Sequence, residues 1–134
     1  MTTVELIMAV EQGGGCLHLD DQLVHYRLPQ PIRHLLPDLR QQRDDVRRVL
    51  QQRLADAVAG WISKRCVISW RCASNPVVLH REFARWSGMQ CSVVAFVAEV
   101  TRRGLLLGAD GMILGLALGA DFIAGLEYER DRTV

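Results

Sequence analysis

The sequence predicts an α+β protein built from two small units that share apolar surface, and three observations carry that prediction. Residues 16–29, CLHLDDQLVHYRLP, alternate apolar and polar side chains around an Asp20-Asp21 turn, which is the pattern of a half-buried β-hairpin. From Ile32 onward the apolar spacing lengthens to about three and a half residues, the period of an amphipathic helix. Near the C-terminus Gly108-Ala109-Asp110-Gly111 separates two runs rich in Leu, Ile and Met, and this reads as a turn joining two strands. With 134 residues the chain divides into an αββα unit over 1–54, a unit of helices plus a C-terminal β-hairpin over 55–122, and a tail over 123–134. Modules of about 60 residues bury little surface alone, so the two are expected to pack together.

Each element follows from local chemistry. Thr2 or Thr3 caps a first helix in which Val4, Ile7, Met8 and Glu11 keep helical spacing until Gly13-Gly14-Gly15 ends it. In the hairpin, Leu17 and Leu19 share a face with Val24, Tyr26 and Leu28, while Cys16, His18, Leu23, His25 and Arg27 lie on the other side. Pro29 and Pro31 close it, because proline cannot donate to a ladder. Ile32, Leu35, Leu36, Leu39, Val46, Val49, Leu50 and Leu54 then form one stripe, with Pro37 in the first turn of the main helix and Arg40, Arg43, Asp44, Arg47 and Arg48 facing water. A separate helix is expected over Asp56–Cys66, followed by a loop holding Trp70. Ser74-Asn75-Pro76 starts another helix, whose buried face would be Leu79, Phe83 and Trp86 and whose end is Ser87-Gly88. Ser92 caps a last helix with the stripe Val93, Phe96, Val97 and Val100, closed by Gly104. The hairpin of Leu105–Leu107 and Met112–Leu118 is expected to seal a core against Phe83, Trp86 and Phe96.

Composition narrows the classes of function. Hydrophobic residues make up 49% and charged residues 23%, an ordinary globular balance, and a formal net charge of +1 lacks the broad positive field of a nonspecific nucleic-acid binder. Basic charge is nearly all arginine, with Lys64 the single lysine, and arginine suits carboxylate or phosphate contacts. Cys16, Cys66, Cys72 and Cys91 form no CxxC pair, and His18, His25, His34 and His80 do not fall at metal-ligand spacing around them, so no metal site, no cofactor and reduced thiols are expected. The run from Leu105 to Ala120 is interrupted by Asp110 and four glycines, too short and too polar to span a membrane. The N-terminal MTTVELIMAVEQGGG lacks the basic start and long apolar run of a signal peptide, which leads to an expected cytoplasmic location. No Gly-rich phosphate loop, nucleophile elbow or paired carboxylate constellation stands in the sequence, and the expectation is that the protein is not an enzyme.

The order helix, hairpin, proline, helix over residues 4–53 resembles the TubC-type N-terminal docking domain of megasynthetases. The residues that carry it are Leu17, Leu19, Val24, Tyr26, Leu28 and Pro29, then Leu39, Arg40, Arg43, Asp45 and Val46. The resemblance implies self-association, an expected homodimer, and reception of an acidic peptide along the hairpin edge, with His18, His25, Arg27, Arg40, Arg43 and Arg47 as partner-binding candidates. The sequence departs from the family at the turn, where Asp21 replaces a usual glycine, and on the outer face at Cys16, His18 and His25.

Residues 60–118 are similar, more loosely, to the winged-helix domain at the C-terminus of phage and plasmid primase-helicase proteins. Trp61, Cys66, Leu79, Phe83, Trp86, Ser92, Phe96, Val100, Gly104, Gly115, Leu116 and Leu118 carry that likeness by their order. It implies contact with DNA, for which Lys64, Arg65, Arg71, Arg81, Arg85, Arg102 and Arg103 are the candidates, opposed between Ala57 and Ala120 only by Glu82, Glu99 and Asp110. Helical geometry would turn Ala95, Ala98, Glu99, Thr101, Arg102 and Arg103 outward, and the wing tip would be Ala109-Asp110. The expected function is that of a non-enzymatic adaptor or accessory protein of a mobile genetic element. It would bind nucleic acid or a replication partner through the second unit and dock or self-associate through the first. The alternative is a protein that binds only other proteins.

Overall fold

The computed structural model of the chain describes residues 1–120, and within them it is an α+β fold. Helix α1 (Thr3–Gln12) opens on a capping box, in which Thr2 accepts from the Glu5 backbone N–H and the Glu5 carboxylate accepts from the Thr2 backbone N–H. Strands β1 (Cys16–Asp20) and β2 (Leu23–Arg27) form the antiparallel hairpin, with His18 opposite His25 and Leu17 opposite Tyr26. Asp21 takes a left-handed conformation at the turn, φ 51°, which is where the docking-domain pattern has glycine. A 3-10 helix over Gln30–Leu35 leads into the short α2 (Leu36–Gln41), which carries Pro37 in its first turn.

Helix α3 (Arg43–Arg65) corrects the sequence reading in two ways. The break falls at Gln42, whose side-chain oxygen accepts from the Thr3 hydroxyl at 2.7 Å. No break falls near position 55: Asp56, read as the start of a new helix, lies mid-helix and accepts from Gln52 one turn earlier at 3.0 Å. One continuous helix therefore runs through the expected boundary between the two units. Its first half packs on α1 and the hairpin, and its second half ends at the aromatic core.

A correction of element type concerns the segment that holds Trp70. Residues Cys66–Ser74 form a strand, β3, where a loop was expected. Helices α4 (Pro76–Ser87) and α5 (Val93–Arg102) follow, capped by Asn75 and Ser92 as read, and α4 ends on Gly88 at φ 69°. Strands β4 (Leu106–Leu107) and β5 (Ile113–Leu118) complete an antiparallel sheet in the order β3-β5-β4. Between Ile68 and Ala73, β3 carries four residues where β5 has only Gly115, so the edge strand bulges outward there. Gly115 itself sits at φ 89°, and a Cβ on it would meet Leu105.

A single apolar cluster runs through both halves, from Leu6, Ile7 and Val10 of α1 to Ile113 and Leu116 of β5. Its aromatic centre is Trp61 edge-on to Phe83 and Phe96, with ring centroids 5.6 and 5.7 Å away. Trp86 does not join it; at 36% exposure it stands at the surface, contrary to the expected buried face of α4. Leu106, Leu107 and Leu114 are exposed as well, so only part of the C-terminal hairpin seals the core, through Ile113 and Leu116. The expected 123–134 tail lies outside the described residues.

Candidate interaction surfaces

The seam between the halves explains which surfaces remain open. The Leu19 backbone N–H donates to the Gln90 carbonyl at 3.1 Å, and the Ser92 N–H donates to the Leu19 carbonyl at 2.9 Å. These bonds occupy the outer edge of β1 at Leu19 from residues 90–92, whereas no strand or bridge pairs with the outer edge of β2 among the described residues. Beside β2 lies a cleft of about 430 Å³, lined by Gln22 of the turn, by Leu23, Val24 and Tyr26 on the strand and by Arg43, Asp44 and Arg47 from the first turns of α3.

Of the expected partner-binding residues, this cleft brings together Arg43 and Arg47 and leaves out the others. Arg47 contacts Asp44 at 3.7 Å, and Arg43 is exposed. His18 and His25 face each other on the opposite side of the hairpin, ring centroids 6.3 Å apart, with Arg27 on that same side and Arg40 on α2. His25 also approaches Asp20 at 3.5 Å. The Ser92 hydroxyl beside Asp20 is the main cause that holds its carboxyl below the usual range; desolvation opposes it, and the His25 ring adds a smaller lowering effect.

The expected nucleic-acid set is split among three places. Arg102 and Arg103 reach back to Glu99 at 2.9 and 3.8 Å, and Glu99 is only 4% exposed. Their charge therefore answers a buried carboxylate before it can answer a phosphate. Arg81 and Arg85 contact Glu82 at 3.9 and 3.5 Å. Lys64 and Arg65 end α3, and Arg71 lies over the Trp70 ring at 5.0 Å; none of these three has an ion pair among the described residues.

Helix α5 turns differently from the sequence expectation. Ala95 and Glu99 are buried and Ala98 is half-buried, because β1 and α3 cover that face; Leu19, Leu54, Ala95, Ala98 and Glu99 meet there. The more open face is Val94, Val97 and Thr101, and the Thr101 hydroxyl is spent on the Val97 and Ala98 carbonyls. That face offers a base edge no free hydrogen-bonding side chain. The hairpin tip is equally committed: the Asp110 carboxylate accepts from the Met112 N–H at 3.1 Å and so shapes its own turn.

Two surfaces were not legible as sites. Trp70 is 86% exposed on the β3 bulge, the most exposed of the large apolar side chains among the described residues. Its one sequence signal is the β-forming run CVISWRCAS, which marks a strand but not a protrusion. Trp61, Trp86, Arg65 and Arg85 border a second cleft, of about 370 Å³, assembled from α3, α4 and the end of β5. The thiols add no reactive centre at Cys66 or Cys91, where burial pushes the groups up to about 12 and about 11 and keeps them protonated near neutrality. Among the described residues no three His, Cys, Asp or Glu side chains converge as a metal site requires, and no helix is long and apolar enough to cross a membrane. Set against protein-family models, curated proteins and solved structures, the chain matches none, and its function has to be read from its own surfaces.

Proposed function

We propose that the protein is a non-catalytic adaptor that docks an extended, acidic segment of a partner protein along β2. The observation that carries this reading is the open β2 edge lying beside a cleft that presents Arg43 and Arg47. A segment laid along that edge would satisfy the unpaired N–H and C=O groups of the strand, while alternate acidic side chains would meet the two guanidinium groups. The order α1, β1, β2, α2, α3 agrees with the docking-domain resemblance and adds to the reading. Self-association would use the same edge, β2 against β2 of a second copy, and would compete with the partner.

From α3 onward the element order is helix, strand, helix, helix, strand, strand with β3 beside β5, which is the order of a winged helix and supports that likeness. A DNA-reading role draws less support, given the apolar α5 face and the sharing of the one Glu99 carboxylate by Arg102 and Arg103. Any contact with nucleic acid would come from Lys64, Arg65 and Arg71 beside the exposed Trp70. In an accessory role within a mobile genetic element, the partner would then be a replication protein rather than the DNA.

Titration of the labelled protein with an acidic, strand-forming peptide tests the reading. Amide resonances of Leu23–Arg27 should shift, and Arg43→Glu with Arg47→Glu should abolish the shift. Binding that spares β2, together with salt-sensitive binding of DNA that is lost in Lys64→Glu with Arg71→Glu, would sink it. Light scattering across concentrations decides self-association separately, since a strict monomer removes the β2-to-β2 contact.

A further inference from the structure

We propose that the outer face of the β3-β5-β4 sheet is the contact for a second copy of this chain, arranged about a two-fold axis. Its centre is a cross-strand row, Ala73 opposite Leu114 and Leu114 opposite Leu106, and all three are exposed. Residues directly opposite in neighbouring strands share one face of a sheet. The core is sealed from the other side by Ile113 and Leu116, and the change of side between Leu114 and Leu116 falls at Gly115, φ 89°. Trp70 rises from the β3 bulge with Arg71 over its ring, and Ile68 on the same strand is 65% exposed. Together these side chains expose apolar surface on the order of a few hundred Å², the scale at which a patch marks an interaction site.

Charge says what this face fits. Across residues 66–74 and 105–118 the only charged side chains are Arg71 and Asp110. Both are exposed, and neither has an ion pair among the described residues. One charge of each sign leaves the face neutral, which gives an anionic lipid surface or a phosphate backbone little to hold. Arg71 stands on the β3 edge, and Asp110 lies in the turn between β5 and β4, toward the opposite edge. A two-fold axis through the central row carries β3 of one copy over that turn of the other, so Arg71 of each copy meets Asp110 of the other. The Met112 N–H engages only Oδ1 of that carboxylate, and the second oxygen is left to accept from a guanidinium. Interfaces between proteins are rich in Trp and Arg and poor in Lys, Glu and Asp, which is the composition of this sheet. The contact is separate from β2, so a dimer made this way presents two unpaired β2 edges to its partners.

Sedimentation of the full chain across concentrations tests the assignment. The parent should dimerise, and Trp70→Ser should weaken the dimer by roughly tenfold or more, as truncating a central tryptophan does. Arg71→Asp and Asp110→Arg should each sediment as monomers, because each sets like charges against one another at both contacts. An equimolar mixture of the two variants should recover a dimer, since every contact then again joins opposite charges; a variant that had only lost its fold would not be rescued. Arg43→Glu with Arg47→Glu should leave the dimer intact, which keeps this contact distinguishable from docking at β2. A parent that stays monomeric overturns the proposal, as does a dimer indifferent to Trp70→Ser or a mixture that stays monomeric. Binding of anionic vesicles or single-stranded DNA that depends on Trp70 in a monomeric parent would also overturn it, assigning the face to that ligand.

Discussion

Glu99 is where one side chain changes the meaning of two others. It is buried on α5, and Arg102 and Arg103 close over it from the next turn, so these arginines are structural partners. Arg102→Glu would place a second carboxylate beside a buried one and is expected to lower stability by about 2–3 kcal/mol, measured by urea unfolding. Loss of DNA binding in that variant would therefore report unfolding as readily as a lost phosphate contact, which makes Lys64 and Arg71 the informative sites. At Asp20 the folded carboxyl is held below its ordinary value, principally by Ser92, so its contribution is present above the unfolded value of about 4 and is lost as pH falls through the folded one. Acid titration of stability should show this loss in the parent chain and a smaller one in Ser92→Ala. An identical acid limb in both would remove Ser92 as the cause.

At the scale of elements, caps and turns were legible because their chemistry is local. Thr2, Asn75 and Ser92 accept from the backbone N–H groups of their own helices, and Gly88 ends α4 in the left-handed region. Asp21 belongs with them: at φ 51° an Asp is tolerated, Gly is unstrained and a β-branched residue is not. Asp21→Val should cost about 1–2 kcal/mol and Asp21→Gly should be neutral or stabilising, read from thermal melts. If valine were accepted without loss, the turn would not be left-handed. The strand β3 and the continuity of α3 were not legible, for a physical reason in each case. β3 exists through its pairing with β5, about forty to fifty residues later, and Asp56 is as good a helix start as it is a partner for Gln52.

For the whole molecule, α3 decides how the halves relate. It contributes Val46 and Leu50 to the core near the hairpin and Val58 and Trp61 to the aromatic centre, so the two units share one apolar interior. Trp61→Ala is expected to cost about 3–5 kcal/mol and to lower a single unfolding transition seen equally by far-UV and near-UV signals. Two separated transitions would show that the halves unfold independently. By itself the sequence determined the α+β class, the hairpin over 16–28, the helix caps and the turn at 108–111 between two apolar runs, since each depends on neighbours within a few residues. Only the tertiary structure decided that residues 90–92 bridge the β1 edge at Leu19 while the β2 edge stays unpaired among the described residues, that Glu99 is buried under two arginines, and that Trp61 and Trp86 share a cleft where the described chain ends. Those are relations between residues far apart in the chain, fixed by how helices and sheet pack, and no local pattern encodes them singly.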